Sequence, residues 1–198
     1  MLKRYLPVED ESKIYFFDDF SGTSYNTNTW TTQSGSGSIL LPESPIGGQL
    51  IVRANANNYY AMIAGLSLFV NTKLSVTWRA RINSLTSSRA AFGAAQSTTS
   101  IIEWIYEAAL GGNWRLRAYA SATETVVDTG IAADTNWHEF TIVGNSGVIN
   151  FFLDNALVGV ITTNLPTSSL GPFVKSTSTT AATKDIYIDW VEIYANRV

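Results

Sequence analysis

WHEFTIVG at residues 137–144, GVINFFLDNALVGVITTNLPTSSLGPFV at 147–174 and KDIYIDWVEIY at 184–194 decide the fold of this chain. The first run opens a strand on Trp137-His138. In the second, Asp154-Asn155 sits between Phe151-Phe152-Leu153 and Ala156-Leu157-Val158. Both residues tolerate positive φ, so a two-residue type I′ hairpin is expected there. Asn145-Ser146-Gly147 closes the preceding hairpin, Leu165-Pro166 bends the chain, and the last run is a closing strand around Asp189-Trp190.

Outward from this stretch, short apolar or alternating runs recur between Gly, Asn, Ser, Thr and Pro, and helical periodicity is hard to find. Strands are expected at 14–20, 38–41, 49–53, 59–63, 73–82, 90–96, 101–108, 114–120, 125–128, 137–143, 148–153, 157–162, 171–175 and 185–194. Many short strands at this spacing mean a sandwich or a barrel. A short helix competes at 59–68 and 101–109, where Gly65 and the β-branched and aromatic content favour strand. The stretches 31–38 and 176–183 read as small-residue loops within one domain.

One hairpin allows a register argument. Glu103, Ile105 and Glu107 share one face of their strand, and Arg115, Arg117 and Tyr119 share one face of the next. A two-residue loop would mix those faces. An odd loop over Gly111-Gly112-Asn113 puts carboxylates and guanidiniums together and leaves Trp104, Tyr106, Leu116 and Ala118 on the apolar side.

The totals bound the function. The 198 residues suit one all-β domain, and 45% hydrophobic against 15% charged residues is enough to bury a large core. A net charge of −3 provides no basic footprint for nucleic acid. With no cysteine there is no disulfide framework or thiolate metal site. No run approaches the roughly 18 apolar residues of a membrane span. The opening MLKRYLPVEDESK has no apolar stretch of the kind a signal peptide needs. Residues 1–13 read as a charged arm ahead of a single domain at 14–198. That arm is either mobile or ordered by docking to a neighbouring subunit.

The succession of strands and turns from Trp137 to Tyr194 resembles the C-terminal half of concanavalin A-like sandwiches of the laminin G and glucanase type. FFDDFSGTSYNTNTW at 16–30 is similar to the Asp-x-Phe…Trp opening of the same superfamily. DTGIAADTNWH at 128–138, leading into the paired hairpins, resembles sandwich domains of bacteriophage structural proteins. The fold implied is all-β: a two-sheet antiparallel jelly-roll sandwich.

Glycan hydrolases of this fold carry a Glu-x-Asp-x-Glu type motif on a strand of the concave sheet, with the first Glu as nucleophile and the last as general acid/base. Glu103 and Glu107 match the outer positions, and Ile105 stands where the Asp would be. Retaining hydrolysis needs one ionised and one protonated carboxyl. Arg115 and Arg117 are expected to favour the ionised form of both, against a proton donor. The favoured reading of this strand is therefore a cross-strand salt-bridged face. His138 is the only histidine, so a histidine metal site is excluded and a Ser-His-Asp triad would depend on it alone. Asp18, Asp19 and Asp189 would approach one another if the first and last strands pair, but no calcium-ligand loop is readable. Trp78, Trp104 and Trp190 read as core. Trp30 and Trp114 adjoin polar loops and are the candidates for an exposed sugar platform.

The function expected on these grounds is a non-enzymatic virion structural protein, a capsid decoration or tail-fibre component displaying a lectin-like sandwich with weak glycan binding. The candidate ligand residues are Trp30, Glu103, Glu107, Trp114, Arg115 and Arg117, with no metal and no cofactor. The expected partners are other virion proteins through residues 1–13, a host-surface glycan and further copies of the chain, and neither nucleic acid nor membrane. The expected location is the virion, assembled in the host cytoplasm. The alternatives are a laminarinase-like glycoside hydrolase using Glu103 and Glu107, or a soluble carbohydrate-binding module.

Overall fold

LSVTWRARI at 74–82 alternates strictly between buried and half-buried positions, so Leu74, Val76, Trp78, Ala80 and Ile82 all enter the core from one strand face. The same period of two organises the whole chain. The computed structural model describes residues 13–22, 24–33, 35–41, 48–64, 73–97 and 99–196. In order, the strands are β1 (Lys13–Asp18), β2 (Trp30–Gln33), β3 (Gly37–Leu40), β4 (Leu50–Ala54), β5 (Tyr59–Ala64), β6 (Leu74–Ile82), β7 (Ser88–Ser97) and β8 (Ser100–Glu107). They continue with β9 (Asn113–Ala120), β10 (Thr123–Ala132), β11 (His138–Asn145), β12 (Val148–Leu153), β13 (Ala156–Ile161), β14 (Gly171–Ser178) and β15 (Lys184–Asn196).

Two antiparallel sheets pack face to face. One runs β13-β12-β11-β6-β15-β4-β3, with β1 pairing the second half of β15. The other runs β10-β9-β8-β7-β14-β5-β2. This is the expected jelly-roll sandwich. Between the sheets lies a core rich in aromatic rings, with Phe140 at 4.6 Å from Phe92 and 4.7 Å from Trp114, and Trp104 edge-on to Phe151. Each such side chain, taken fully out of water, contributes about 1.5–3 kcal/mol. A second, smaller apolar cluster lies on the other face of the seven-stranded sheet, made of Ala61, Ala91, Ala95, Ile101, Ile105 and Phe173.

The turns follow the sequence reading closely. Asp154 and Asn155 have φ of 49° and 68°, the positive pair of a type I′ turn, and Leu153 pairs with Ala156 across it. Ser146 and Gly147 form the same two-residue turn before β12. A third, at Ser121-Ala122, joins β9 to β10 without a glycine or asparagine to announce it.

Several boundaries move. The 101–109 region is strand through Glu107, and Ala108–Leu110 is a single 3₁₀ turn. That turn draws residues from the strand end, so the loop back to β9 is longer than expected while its odd parity holds. Glu103 pairs with Arg117, and Ile105 with Arg115. The 31–38 stretch is mostly strand, split between β2 and β3, and β14 extends to Ser178 where a loop was expected. Hydroxyl-rich stretches tolerate such extension because β-branched threonines fit a pleated surface. The arm at residues 1–12 lies outside the described residues, and Lys13 pairs with Asn196 at the start of β1. None of the described helices is long and apolar enough to cross a membrane.

Candidate functional site

The outer face of the seven-stranded sheet can be mapped row by row from its registers, reading across β5, β14, β7, β8, β9 and β10. One row runs Phe173, Gly93, Glu103, Arg117, Val126. The next runs Ala61, Lys175, Ala91, Ile105, Arg115, Asp128. A third runs Tyr59, Thr177, Arg89, Glu107. Glycine and alanines therefore occupy the middle of the face, and long polar side chains stand around them. The result is a groove of about 530 Å³ whose floor is apolar and whose walls include Glu103, Arg89, Arg117, Lys175, Tyr59 and Phe173. A shallower depression of about 400 Å³ adjoins it, lined by Arg89, Glu107 and the hydroxyl-bearing Ser87, Ser88, Thr177 and Thr179. Arg89 is common to both.

Gly93 makes this close packing possible. A Cβ there would lie 2.1 Å from the Ile102 carbonyl oxygen and 2.6 Å from Glu103 Cα, so any larger residue would push β7 and β8 apart. Its carbonyl accepts the Trp78 indole N–H at 3.2 Å, tying the glycine to the core on the opposite side.

Glu103 is 1% exposed. Arg117 Nη2 is in direct ion-pair contact with its Oε1, and Arg89 Nη2 approaches the same oxygen at 3.9 Å. Neither Glu103 oxygen meets a donor with ordinary hydrogen-bond geometry. Burial pushes its pKa above the ordinary glutamate value, and Arg117, Arg89 and Lys175 only partly oppose that rise. This corrects the expectation that the arginines hold the carboxyl ionised: removal from water outweighs them. Glu107 is half-buried and lies 3.7 Å from Arg89 Nε. One guanidinium thus lies within 3.9 Å of both carboxylates, which share one face of β8. Lys175 is half-buried, and burial, aided by Arg89 and Arg117, lowers its pKa. Its ammonium sits 4.4 Å from the centroid of the Tyr59 ring.

The sequence-derived candidates separate into two groups. Glu103, Glu107, Arg115 and Arg117 share the expected face. Arg115, however, turns away from the groove, pairing with Asp128 at 2.9 Å and donating to the Leu110 carbonyl. Trp30 and Trp114 are not a sugar platform, because each is 1% exposed and lies in the core. Trp30 packs against Phe20 and Trp78 and donates its indole N–H to Asp18 at 2.8 Å. Trp114 faces inward because it alternates with Arg115 on β9. Trp190, expected in the core, is only half-buried and stacks on Phe17.

The residues that sequence reasoning missed are Arg89, Gly93 and Lys175. The signal for the first two was SRAAFGAAQS at 88–97, where Ala91, Gly93 and Ala95 place small residues at every second position of one face. Asp18 sits opposite Val191 when β1 pairs β15, and Asp189 pairs with Arg79 at 3.0 Å, so these carboxylates do not converge. Among the described residues no group of three or more His, Cys, Asp or Glu could hold a metal ion.

His138 belongs to a separate cluster. Nδ1 lies 2.6 Å from Asp154 and Nε2 3.0 Å from Asp134, while Asp154 also accepts the Glu139 backbone N–H at 2.9 Å. Burial works to lower the imidazole pKa, but the two carboxylates outweigh it and raise it.

No family model matches the sequence, and no curated protein matches it. Solved structures do. An immunostimulatory antigen and pseudo beta-1,3-glucanase of Mycobacterium tuberculosis is 13% identical, with a TM-score of 0.70 over 92% of this chain and 98% of that one. A beta-1,3-glucanase from Mycobacterium marinum is 12% identical, with a TM-score of 0.71 over 90% and 97%. The Bacillus licheniformis beta-glucanase is 13% identical, with a TM-score of 0.67 over 93% and 98%. At this identity the likeness establishes the fold, a jelly-roll sandwich of the β-glucanase type. It also overturns two expectations. The neighbours are β-glucanases, one of them described as a pseudo-glucanase, rather than phage coat or tail components; this overturns the virion reading and, with it, the non-enzymatic one.

Proposed function

We propose that this protein hydrolyses a glycan chain laid in the groove on the outer face of the seven-stranded sheet, with Glu103 and Glu107 as its acid pair. The observation that carries this reading is the placement of two carboxyls on one face of β8, held within reach of each other by Arg89 and set in unlike surroundings. Unlike surroundings separate the roles of two chemically identical groups. Glu103, buried and with a raised pKa, is the proton donor to the glycosidic oxygen. As the bond from the anomeric carbon to that oxygen breaks, the Glu103 proton passes to the leaving sugar. Glu107 stands toward the open side and serves the anomeric carbon, either directly or by taking a proton from the attacking water. In either route one water is consumed, its hydroxyl ends on the anomeric carbon, and its proton restores the acid.

The chain departs from the Glu-x-Asp-x-Glu pattern at Ile105, which is buried in the floor cluster, and in its roles, with the first glutamate as proton donor and the last at the anomeric carbon. Burial of Glu103 takes the place of a central carboxylate in setting the two acids apart. The glucanase neighbours support the reading through their fold.

The test is release of reducing ends from a panel of β-glucans, galactans and uronans by the wild-type chain, Glu103→Gln and Glu107→Gln. Loss of about two to four orders of magnitude in each variant is expected. Binding of a glycan with no release by the wild type would overturn hydrolysis, and release that survives Glu103→Gln would overturn the assignment of the donor.

A further inference from the structure

We propose that the groove selects an anionic saccharide, one bearing a carboxylate or sulfate on the ring seated over Gly93 and Ala91. This rests on the reading of the groove as a glycan site. Three cationic side chains, Arg89, Arg117 and Lys175, line the 530 Å³ groove against a single carboxyl, Glu103. The chain as a whole carries a net charge of −3, so this positive site runs against the overall balance. Arg117 is already engaged with Glu103 and lies 3.5 Å from Glu124, and Arg89 is shared between Glu103 and Glu107.

Lys175 differs. It projects from β14 between Ala61 on one side and Ala91 on the other, over the apolar floor, and its neighbour is the Tyr59 ring. Among the described residues no carboxylate lies within ion-pair distance of it; Glu103 attracts it from farther off, while Arg89 and Arg117 both bear on it unfavourably. A cation drawn partly out of water without a counter-ion in contact is costly, and an anion entering the groove relieves that cost. A neutral sugar would cover the same ammonium and give it only hydroxyls. The second observation is Glu103, a groove-lining residue whose Oε1 is taken up by Arg117 and whose Oε2 is buried without a hydrogen-bond partner. A saccharide hydroxyl or the glycosidic oxygen can occupy that position while the anionic substituent reaches Lys175. The tyrosine and Phe173 supply flat apolar surface at the groove edge.

The experiment measures binding and does not depend on turnover. Calorimetric dissociation constants are taken for three hexasaccharides: mannuronate, sulfated galactose and neutral β-1,3-linked glucose. The full chain and Lys175→Met are compared at low and high salt. At least one anionic hexasaccharide should bind the wild type about tenfold or more tightly than the glucan, and that advantage should shrink with salt. Lys175→Met keeps the length of the stem and should remove most of the advantage, weakening the anionic hexasaccharide far more than the glucan. Lys175→Gln, with its thermal midpoint checked, serves if the methionine variant misfolds. The uronate and sulfate arms identify which anion fits. Equal affinity for all three sugars, or equal weakening of all three by Lys175→Met, would overturn the inference, as would failure of every sugar to bind. Cleavage and binding of glucan without anionic preference sinks this inference alone and leaves hydrolysis standing. Anionic binding without cleavage does the reverse.

Discussion

Replacing Arg117 by Met removes the guanidinium in contact with Glu103 and leaves the apolar stem in place. The carboxyl is 1% exposed, so it cannot turn to water for compensation, and Arg89 at 3.9 Å is its remaining close cation. Stranding a buried charge in this way costs about 3–5 kcal/mol in general. Glu103 has an escape: it can take up a proton. Holding that proton costs about 1.4 kcal/mol for each pH unit above the ordinary glutamate pKa of 4.5, or about 3 kcal/mol at neutrality. That sets a ceiling. Because the wild-type carboxyl already lies above the ordinary value, part of the penalty is present before the mutation, and the expected loss is about 2 kcal/mol at pH 7. The sign follows from linkage. A carboxyl with a raised folded pKa binds more protons folded than unfolded, so stability falls as pH rises from 4.5 through that raised value. The Arg117→Met penalty should therefore fall below about 1 kcal/mol near pH 5. Glu103→Gln removes the titration, and the double variant should be within about 0.5 kcal/mol of Glu103→Gln alone. Urea unfolding followed by tryptophan fluorescence measures all four proteins at both pH values. A penalty that does not change with pH, or single effects that simply add in the double variant, would refute the claim that Glu103 is a buried and electrostatically strained acid.

Other outcomes follow from the same structure. Gly93→Ala should lower glycan turnover more than tenfold and cost about 2 kcal/mol or more in stability, since the new methyl meets backbone on β8; unchanged kinetics would show that β7 and β8 can part without moving Glu103. His138→Gln should destabilise the fold by about 1 kcal/mol at pH 6 and by less at pH 9. The imidazole pKa is raised on folding, so its contribution is full below 6.5 and fades as pH rises through the folded value; denaturation curves at the two pH values check this. Trp114→Ala should cost about 3–5 kcal/mol by opening the core, measured by thermal or chemical unfolding, and a surface-like loss below 1 kcal/mol would contradict its burial. Asn155→Gly should leave stability within about 0.5 kcal/mol by the same measurements, because both residues accept the positive φ of 68°.

Much of the sandwich was legible because the period of two is strong wherever one strand face enters the core. Leu74–Ile82 and Trp114–Ala118 show it without interruption. The face shared by Glu103, Glu107 and Arg117 was legible for the same reason, since loop parity alone fixes which residues stand together. The misread tryptophans show the limit of neighbour composition. Trp30 lies beside polar loop residues in sequence, yet its indole N–H finds Asp18 and its rings find Phe20 and Trp78, partners that only the folded chain brings near. Lys175 was unreadable for a related reason. FVKST looks like any strand until β14 is seated between β7 and β5, and that placement depends on pairings more than eighty residues apart. The misjudged Glu103 is different again. Opposed arginines were visible in the pattern, but the depth of its burial was not, and depth decided the balance.

The strand order also says when the molecule becomes competent. β14 and β15 are the last strands to leave the ribosome, and each enters the interior of its sheet, β14 between β7 and β5 and β15 between β6 and β4. Neither sheet can close around an edge-to-edge scaffold of earlier strands, so both must stay open until Gly171–Asn196 arrives. Pairings of such long sequence separation are slow to form, typically in milliseconds to seconds for all-β domains. Glu103 and Lys175 meet only at that last step. A nascent chain stalled before Gly171 would carry the acid and no complete groove around it, so glycan capture reports that both sheets have closed.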